Sequence, residues 1–227
     1  WGAGGIYRLP RRKEDLPITE SSPIEPASDY LMSKWEEEEA VARFCESNGL
    51  GWSSIRPTTV YGPRAVYAGG QMFLDAMRMK KVMVPRNFTF KIPTVHVRDV
   101  CRAALFLMQH PETDGEAYNV NGDSQVGTTE FLRMIAEEMG HPFRLLPPIP
   151  IWLFKANLNL MAWLGHWRQR IFGGARPRFE RDSLRYFGLD FVYANEKLKK
   201  AGFAFEYPDF RKGLKETVKW YKQAGWV

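Results

Sequence analysis

The sequence predicts an α/β fold, and three observations carry the prediction. Helix-like and strand-like stretches alternate along the chain, and the helices are bounded by recognisable start and stop residues. Hydrophobic residues make up 44% and aromatics 14%, enough apolar surface to offset chain entropy, which excludes a disordered polypeptide. The length of 227 residues suits one large domain or two small ones.

The elements follow in order. Residues 1–7 are short, Gly-rich and apolar and read as a strand end, followed by a charged loop through Pro26. A helix is predicted from Ser28 to Asn48: Ser28 is the N-cap, good helix formers follow without Gly or Pro, and Gly49 stands where a terminating glycine belongs. Trp52 to Arg56 alternates as a strand and stops at Pro57, and Gly62-Pro63 marks a turn. Gln71 to Met79 reads as a helix, Lys91 to Val97 as a strand, and Asp99 to Gln109 as a helix capped by Asp99. Tyr118-Asn119-Val120 is a strand, and Thr128 to Met139 a helix capped by Thr128 or Thr129 and ended by Gly140. Ile151 to Trp167 is apolar almost all round but reaches no membrane-spanning length. Helices at Ala194 to Lys200 and Phe210 to Gln223 complete the chain.

The net charge of +6 has one address. Between Arg144 and Arg185 lie eight Arg and Lys residues against only Glu180 and Asp182, and the remainder is close to neutral. A neutral protein with one basic patch is not a general nucleic-acid binder, so no nucleic-acid partner is expected. Cys45 and Cys101 stand far apart and fit a reducing, cytoplasmic compartment rather than a disulfide framework. The four His show no metal-ligand spacing, so no metal is expected. No basic stretch followed by an apolar run opens the chain, so no leader peptide is expected.

Chemistry enters with Tyr30 and Lys34, four apart at the start of a helix and therefore on one face. A phenol beside an ammonium can exchange a proton with an alcohol or ketone, because the positive charge favours the phenolate. The spacing alone is common, and Tyr193/Lys197 repeats it, so context must separate the two; the second pair reads as structural. Around Tyr30 an ordered series appears: Glu20, Pro26-x-x-x-Tyr30-x-x-Ser33-Lys34, Arg56-Pro57, Val60-Tyr61-Gly62-Pro63-Arg64, Val95-His96-Val97-x-Asp99-Val100 and Gly115-Glu116-x-Tyr118-Asn119-Val120. This series resembles the extended short-chain dehydrogenase/reductase family, the NAD-dependent epimerase/dehydratase group. It matches the latter two thirds of such an enzyme. The Gly-rich dinucleotide fingerprint of the first third has no counterpart in this sequence.

The resemblance implies a doubly wound Rossmann-type parallel sheet, of which residues 1–64 and 91–114 form the latter part, with a smaller α+β substrate domain from 65–90 and 115–227. It implies NAD or NADP as cofactor and a small-molecule substrate, oxidised, reduced or epimerised at an alcohol, ketone or sugar carbon. Tyr30 would be the acid/base, Lys34 would support it and bind the nicotinamide ribose, and Pro57, Thr58, Thr59 and Val60 would border the cofactor. Thr59, Tyr61, Arg64 and Arg176 would reach the substrate.

Two departures from the family pattern matter. The family's third site member, a Ser or Thr four residues before Tyr7, is Ala3, which can neither donate nor accept through its side chain. Full activity then calls for another hydroxyl, Thr58 or Thr59; otherwise the chain is an impaired member acting as a binding or assembly subunit. The position where nucleotide-sugar enzymes carry an arginine is Ile92, which shifts the expected substrate from a nucleotide sugar toward a hydrophobic alcohol or ketone. Ordinary structure explains His96, Asp99 and the run Glu36 to Glu39, the last read as a solvated helix face. Segment 151–185 has three readings: cover for the substrate cleft or a homodimer contact; a peripheral membrane contact; or, through Arg176, Arg178 or Arg181, a phosphate site.

Overall fold

Fourteen regular elements carry the fold, and the computed structural model describes residues 3–65, 69–173 and 183–227. In chain order they are α1 (Asp29–Ser47), β1 (Ser53–Pro57), β2 (Thr59–Tyr61), α2 (Gly69–Arg78), β3 (Val82–Pro85), β4 (Thr94–His96), α3 (Val97–Met108), β5 (Glu116–Val120), α4 (Thr128–Met139), β6 (Phe143–Leu146), α5 (Ile151–Phe172), α6 (Ser183–Tyr186), α7 (Glu196–Lys200) and α8 (Phe210–Gln223). Every strand pair is parallel: β1 with β5, β2 with β4, and β3 with β6. Parallel neighbours need crossover connections, and helices supply them here, which is the α/β architecture expected. The β1–β5 pairing carries Glu116–Val120 across the boundary expected at residue 114 and into one sheet with the first unit.

Four apolar clusters hold these elements together. Phe73, Met77, Phe131, Ile135, Phe210 and Leu214 join α2, α4 and α8, with Phe73 and Phe131 ring centroids 4.9 Å apart in an edge contact. Ile55, Val95, Val100 and Tyr118 join β1, β4, β5 and α3. Ile6, Tyr7, Ile18 and Tyr193 anchor the first residues to a distant part of the chain, and Val82, Val84, Phe88 and Ala136 back β3. Tyr61 fits under α8 only because residue 213 is glycine: a Cβ there would lie 2.2 Å from the Tyr61 oxygen. No described helix is long and apolar enough to cross a membrane.

Several expectations need correction. Residues 4–6 form a 3₁₀ turn rather than a strand end, because the Tyr193 hydroxyl donates to the Gly4 carbonyl at 2.7 Å and pulls the Gly-Gly backbone inward. Lys91 makes only an isolated bridge to Gly127, and the strand proper is Thr94–His96. Thr128 and Thr129 do not cap α4; their hydroxyls donate to the carbonyls of Phe90 and Phe88 at 2.9 and 2.6 Å, tying the helix to the preceding loop. Asp99 does not cap α3. His96 takes the cap position, while Asp99 is buried one turn in and accepts the backbone N–H groups of Glu206 and Tyr207, both at 2.8 Å. The last short helix begins at Glu196, two residues later than expected.

Candidate active site

The first turn of α1 presents the candidate acid/base pair. Ser28 caps the helix by accepting from Leu31 N at 3.3 Å, which fixes where the helix starts and therefore which way Tyr30 and Lys34 point. The helix buries Leu31 and Glu38, with Lys34 and Trp35 half-buried between them, so its inner stripe runs at three- and four-residue spacing. Tyr30 lies beside that stripe, 59% exposed. The Ser33 hydroxyl donates to the Tyr30 carbonyl at 2.8 Å, and Lys34 donates to Glu37 at 2.6 Å. Its hydrogen bond to Glu37 holds the Lys34 ammonium above its ordinary pKa, so the side chain stays charged beside Tyr30.

Behind this surface lies a buried polar network that the sequence reading missed. Glu38, expected on a solvated face, is 6% exposed and receives two nitrogens of Arg56, also 6% exposed. Ser54 donates to the same carboxylate at 2.8 Å, Arg56 donates to the Tyr7 oxygen at 2.7 Å, and Tyr7 in turn donates to Asn119 Oδ1 at 2.8 Å. Glu20 accepts the backbone N–H of Asn119 at 2.8 Å, closing the chain of contacts between the N-terminal loop and β5. Burial pulls the Arg56 guanidinium down, but its bonds to Glu38 and Tyr7 outweigh that and hold it above its ordinary value. Tyr7 is pushed up to about 12, burial outweighing the guanidinium beside it. The signal was present in the sequence: Glu38 is seven residues from Leu31 and so on the same helix face.

A two-glycine wedge links α1 to the end of β1. A Cβ at Gly5 would meet Leu31 Cδ2 at 3.0 Å, and a Cβ at Gly4 would meet the Pro57 carbonyl oxygen at 2.9 Å and Thr58 Cγ2 at 3.3 Å. Residues 4 and 5 thus fill the gap between the helix that carries Tyr30 and the loop that carries Thr58. Thr58 follows the C-terminal end of β1, where open α/β sheets place their ligands. Its Oγ1 is buried and has no hydrogen-bond partner among the described residues.

The other expected residues divide. Pro57 is buried at the end of β1, and Thr59 is half-buried with its N–H bonded to Pro93 O at 3.2 Å. Val60 packs on the cluster beneath α3. Tyr61 requires correction as a substrate contact: it is 1% exposed, stacked on Phe73 at 5.3 Å and edge-on to Phe210 at 5.0 Å, because α8 closes over it. Arg64 is exposed and sits at φ 68°, an uncommon conformation for a side-chain-bearing residue. Arg176, Arg178 and Arg181 lie outside the described residues. Arg185, not singled out from sequence, brings a guanidinium to the start of α1, donating to the Ala27 carbonyl at 2.8 Å. Tyr193 and Lys197 do not form a second site: Tyr193 is buried against Gly4, and Lys197 pairs with Glu116 at 2.7 Å.

Exposed Tyr30, charged Lys34 and the Thr58 hydroxyl without a partner among the described residues are groups able to hydrogen-bond a nicotinamide nucleotide; the Gly-rich dinucleotide fingerprint has no counterpart in this sequence. Among the described residues no group of His, Cys, Asp and Glu is arranged to hold a metal ion. A shallow cleft lined by Glu20, Trp52, Arg56 and Lys197 includes neither Tyr30 nor Thr58.

Residues 6–121 match the model of the family described as "NAD dependent epimerase/dehydratase family". A UDP-glucose 4-epimerase from Vibrio cholerae is 29% identical over 158 residues, covering 68% of this chain and 44% of the relative. A chloroplast stem-loop binding protein from Arabidopsis thaliana is 25% identical over 141 residues, covering 62% of this chain and 35% of the relative. Among solved structures, the UDP-glucose 4-epimerase of Thermotoga maritima with UDP-glucose superposes at a TM-score of 0.69 with 20% identity, over 98% of this chain and 62% of that one. An RMD structure from Pseudomonas aeruginosa complexed with NADPH gives a TM-score of 0.68 with 17% identity, covering 98% of this chain and 65% of that one. The chain therefore spans less than half the length of these curated relatives.

Proposed function

Because the chain belongs to the NAD-dependent epimerase/dehydratase family, we propose that it supplies the proton-transfer part of a nicotinamide-dependent reaction at an alcohol, ketone or sugar carbon. Tyr30 is the acid/base. The residue is exposed, its helix is fixed by the Ser28 cap, and Lys34 places an ammonium one turn further along the same helix. During oxidation the phenolate takes the proton of the substrate hydroxyl; in the reverse direction the phenol returns it. When bound, NAD or NADP accepts or donates the hydride at the same carbon. Lys34 leaves Glu37 to reach the nicotinamide ribose, and Thr58 lends the hydroxyl that Ala3 lacks. The buried Thr58 Oγ1 without a partner is the observation that carries this substitution.

The substrate unit of this reading comprises residues 65–90 and 115–227. Ile92 packs on the buried cluster of α2, α4 and α8, and an aliphatic side chain there offers nothing to a diphosphate. That favours a hydrophobic alcohol or ketone. Titration of NAD and NADP into the whole polypeptide tests the assignment: one nucleotide binds, and Lys34→Ala weakens it by ~tenfold or more, the worth of a hydrogen bond to a charged group. Binding unaffected by Lys34→Ala removes Lys34 from the site.

A second reading, a binding or assembly subunit without turnover, draws on Ala3 at the hydroxyl position and on the stem-loop binding relative. Failure to bind either nucleotide selects it.

A further inference from the structure

Helix α5 is built inside out. Of its 22 residues, Ala162 is buried, and Phe154 docks on Phe88 at 4.8 Å and Phe187 at 4.9 Å between ring centroids. Ile151, Phe154, Leu158 and Ala162 form the inward stripe. The opposite stripe, spaced by three and four residues, is Leu153, Leu160, Trp163, Leu164, Trp167 and Ile171, every one between 47% and 54% exposed. Trp152, at the start of the helix, is 70% exposed. A monomeric soluble protein rarely leaves so continuous an apolar face uncovered.

The charges around this face select its occupant. No Asp or Glu occurs between Glu138 and Glu180, whereas Arg144, Lys155, Arg168, Arg170, Arg176 and Arg178 all fall there. On a helical projection Arg168 and Arg170 flank the exposed stripe, one on each side, and Asn157 and Asn159 do so about three turns earlier. An apolar ridge rich in Trp and bordered by arginines matches an anionic lipid surface: rings and aliphatic chains enter the acyl boundary while guanidinium groups remain with the phosphates. A second copy of the same helix offers Arg168 and Arg170 no acidic partner, so charge works against self-pairing.

We propose that the outward face of α5 binds the surface of an anionic bilayer, with the helix lying in the interface. This goes beyond the catalytic reading and is independent of it. The test is flotation of the whole polypeptide with vesicles of phosphatidylcholine alone or mixed with phosphatidylglycerol. Binding is expected to the mixed vesicles at low salt, falling severalfold at high salt. Trp163→Gln with Trp167→Gln abolishes it, and Arg168→Glu with Arg170→Glu reduces it by ~tenfold or more, while circular dichroism of both variants is unchanged. Absence of binding to the mixed vesicles at low salt overturns the proposal. So does binding that both variant pairs leave intact, or a vesicle-independent dimer that the tryptophan pair dissolves.

Discussion

Helices α1 and α5 invert the usual sorting in opposite ways. The first buries a carboxylate and shows the solvent the phenol of Tyr30; the second buries an alanine and shows the solvent a ridge of Leu and Trp. The difference lies in where the compensation comes from. Glu38 is answered inside the fold by Arg56 and Ser54, so α1 is held rigidly and its outer face is free for chemistry. The apolar ridge of α5 is answered by nothing within the described chain, so its compensation must come from outside. Buried charge thus marks a fixed element and exposed apolar surface marks a docking one.

The contrast can be broken at its strongest point first. Glu38→Ala leaves the Arg56 guanidinium buried and unpaired and is expected to cost about 3–5 kcal/mol, measured by urea unfolding. Glu38→Met combined with Arg56→Met recovers most of that loss. A small effect of the single change would mean that the network is wet rather than buried. Gly213→Ala comes next, since its Cβ would press on Tyr61 and α8 must shift; the expected cost is about 1–3 kcal/mol.

The pH dependence supplies a subtler test. Burial holds His96 below its ordinary pKa, although Glu216 and Asp99 oppose the shift and Arg98 adds to it. The unfolded chain therefore takes up this proton before the folded one, so the fold loses stability as pH drops below ~6.5 toward the folded value and keeps it above. His96→Gln should flatten that acid limb in unfolding midpoints measured from neutral to mildly acidic pH. The smallest effect belongs to α5: Leu160→Gln should change stability by no more than ~0.5 kcal/mol, because the side chain lies on the outward face and is 54% exposed. A large loss there would show that the ridge is covered by the fold itself.

Much of this was legible in the residues. Ser28, Gly140 and Phe210 bounded their helices because capping and periodicity act within one or two turns, and Tyr30 and Lys34 lie one turn apart on α1 as their spacing requires, Tyr30 exposed and Lys34 half-buried. What escaped depended on distant chain. Tyr61 sits in a motif that suggests substrate contact, yet α8, about 150 residues later, buries it. Asp99 looked like a cap because it is acidic near a helix start, but its carboxylate accepts from the N–H groups of Glu206 and Tyr207 and pairs with Arg102. Glu38 was masked by its neighbours: a run of four glutamates suggests a solvated face, and only the seven-residue step from Leu31 shows that one of them turns inward. Thr58 was named from sequence as an alternative hydroxyl, but that its buried oxygen lacks a partner among the described residues depends on packing around it and has no sequence signature.

The central claim is that Tyr30 moves the proton. Its most direct measurement is steady-state turnover of the whole polypeptide with its preferred nicotinamide nucleotide, comparing Tyr30 with Tyr30→Phe and recording nucleotide affinity alongside. A fall in kcat of ~10²–10⁴ with affinity nearly unchanged is the predicted result; undiminished turnover in Tyr30→Phe would contradict it.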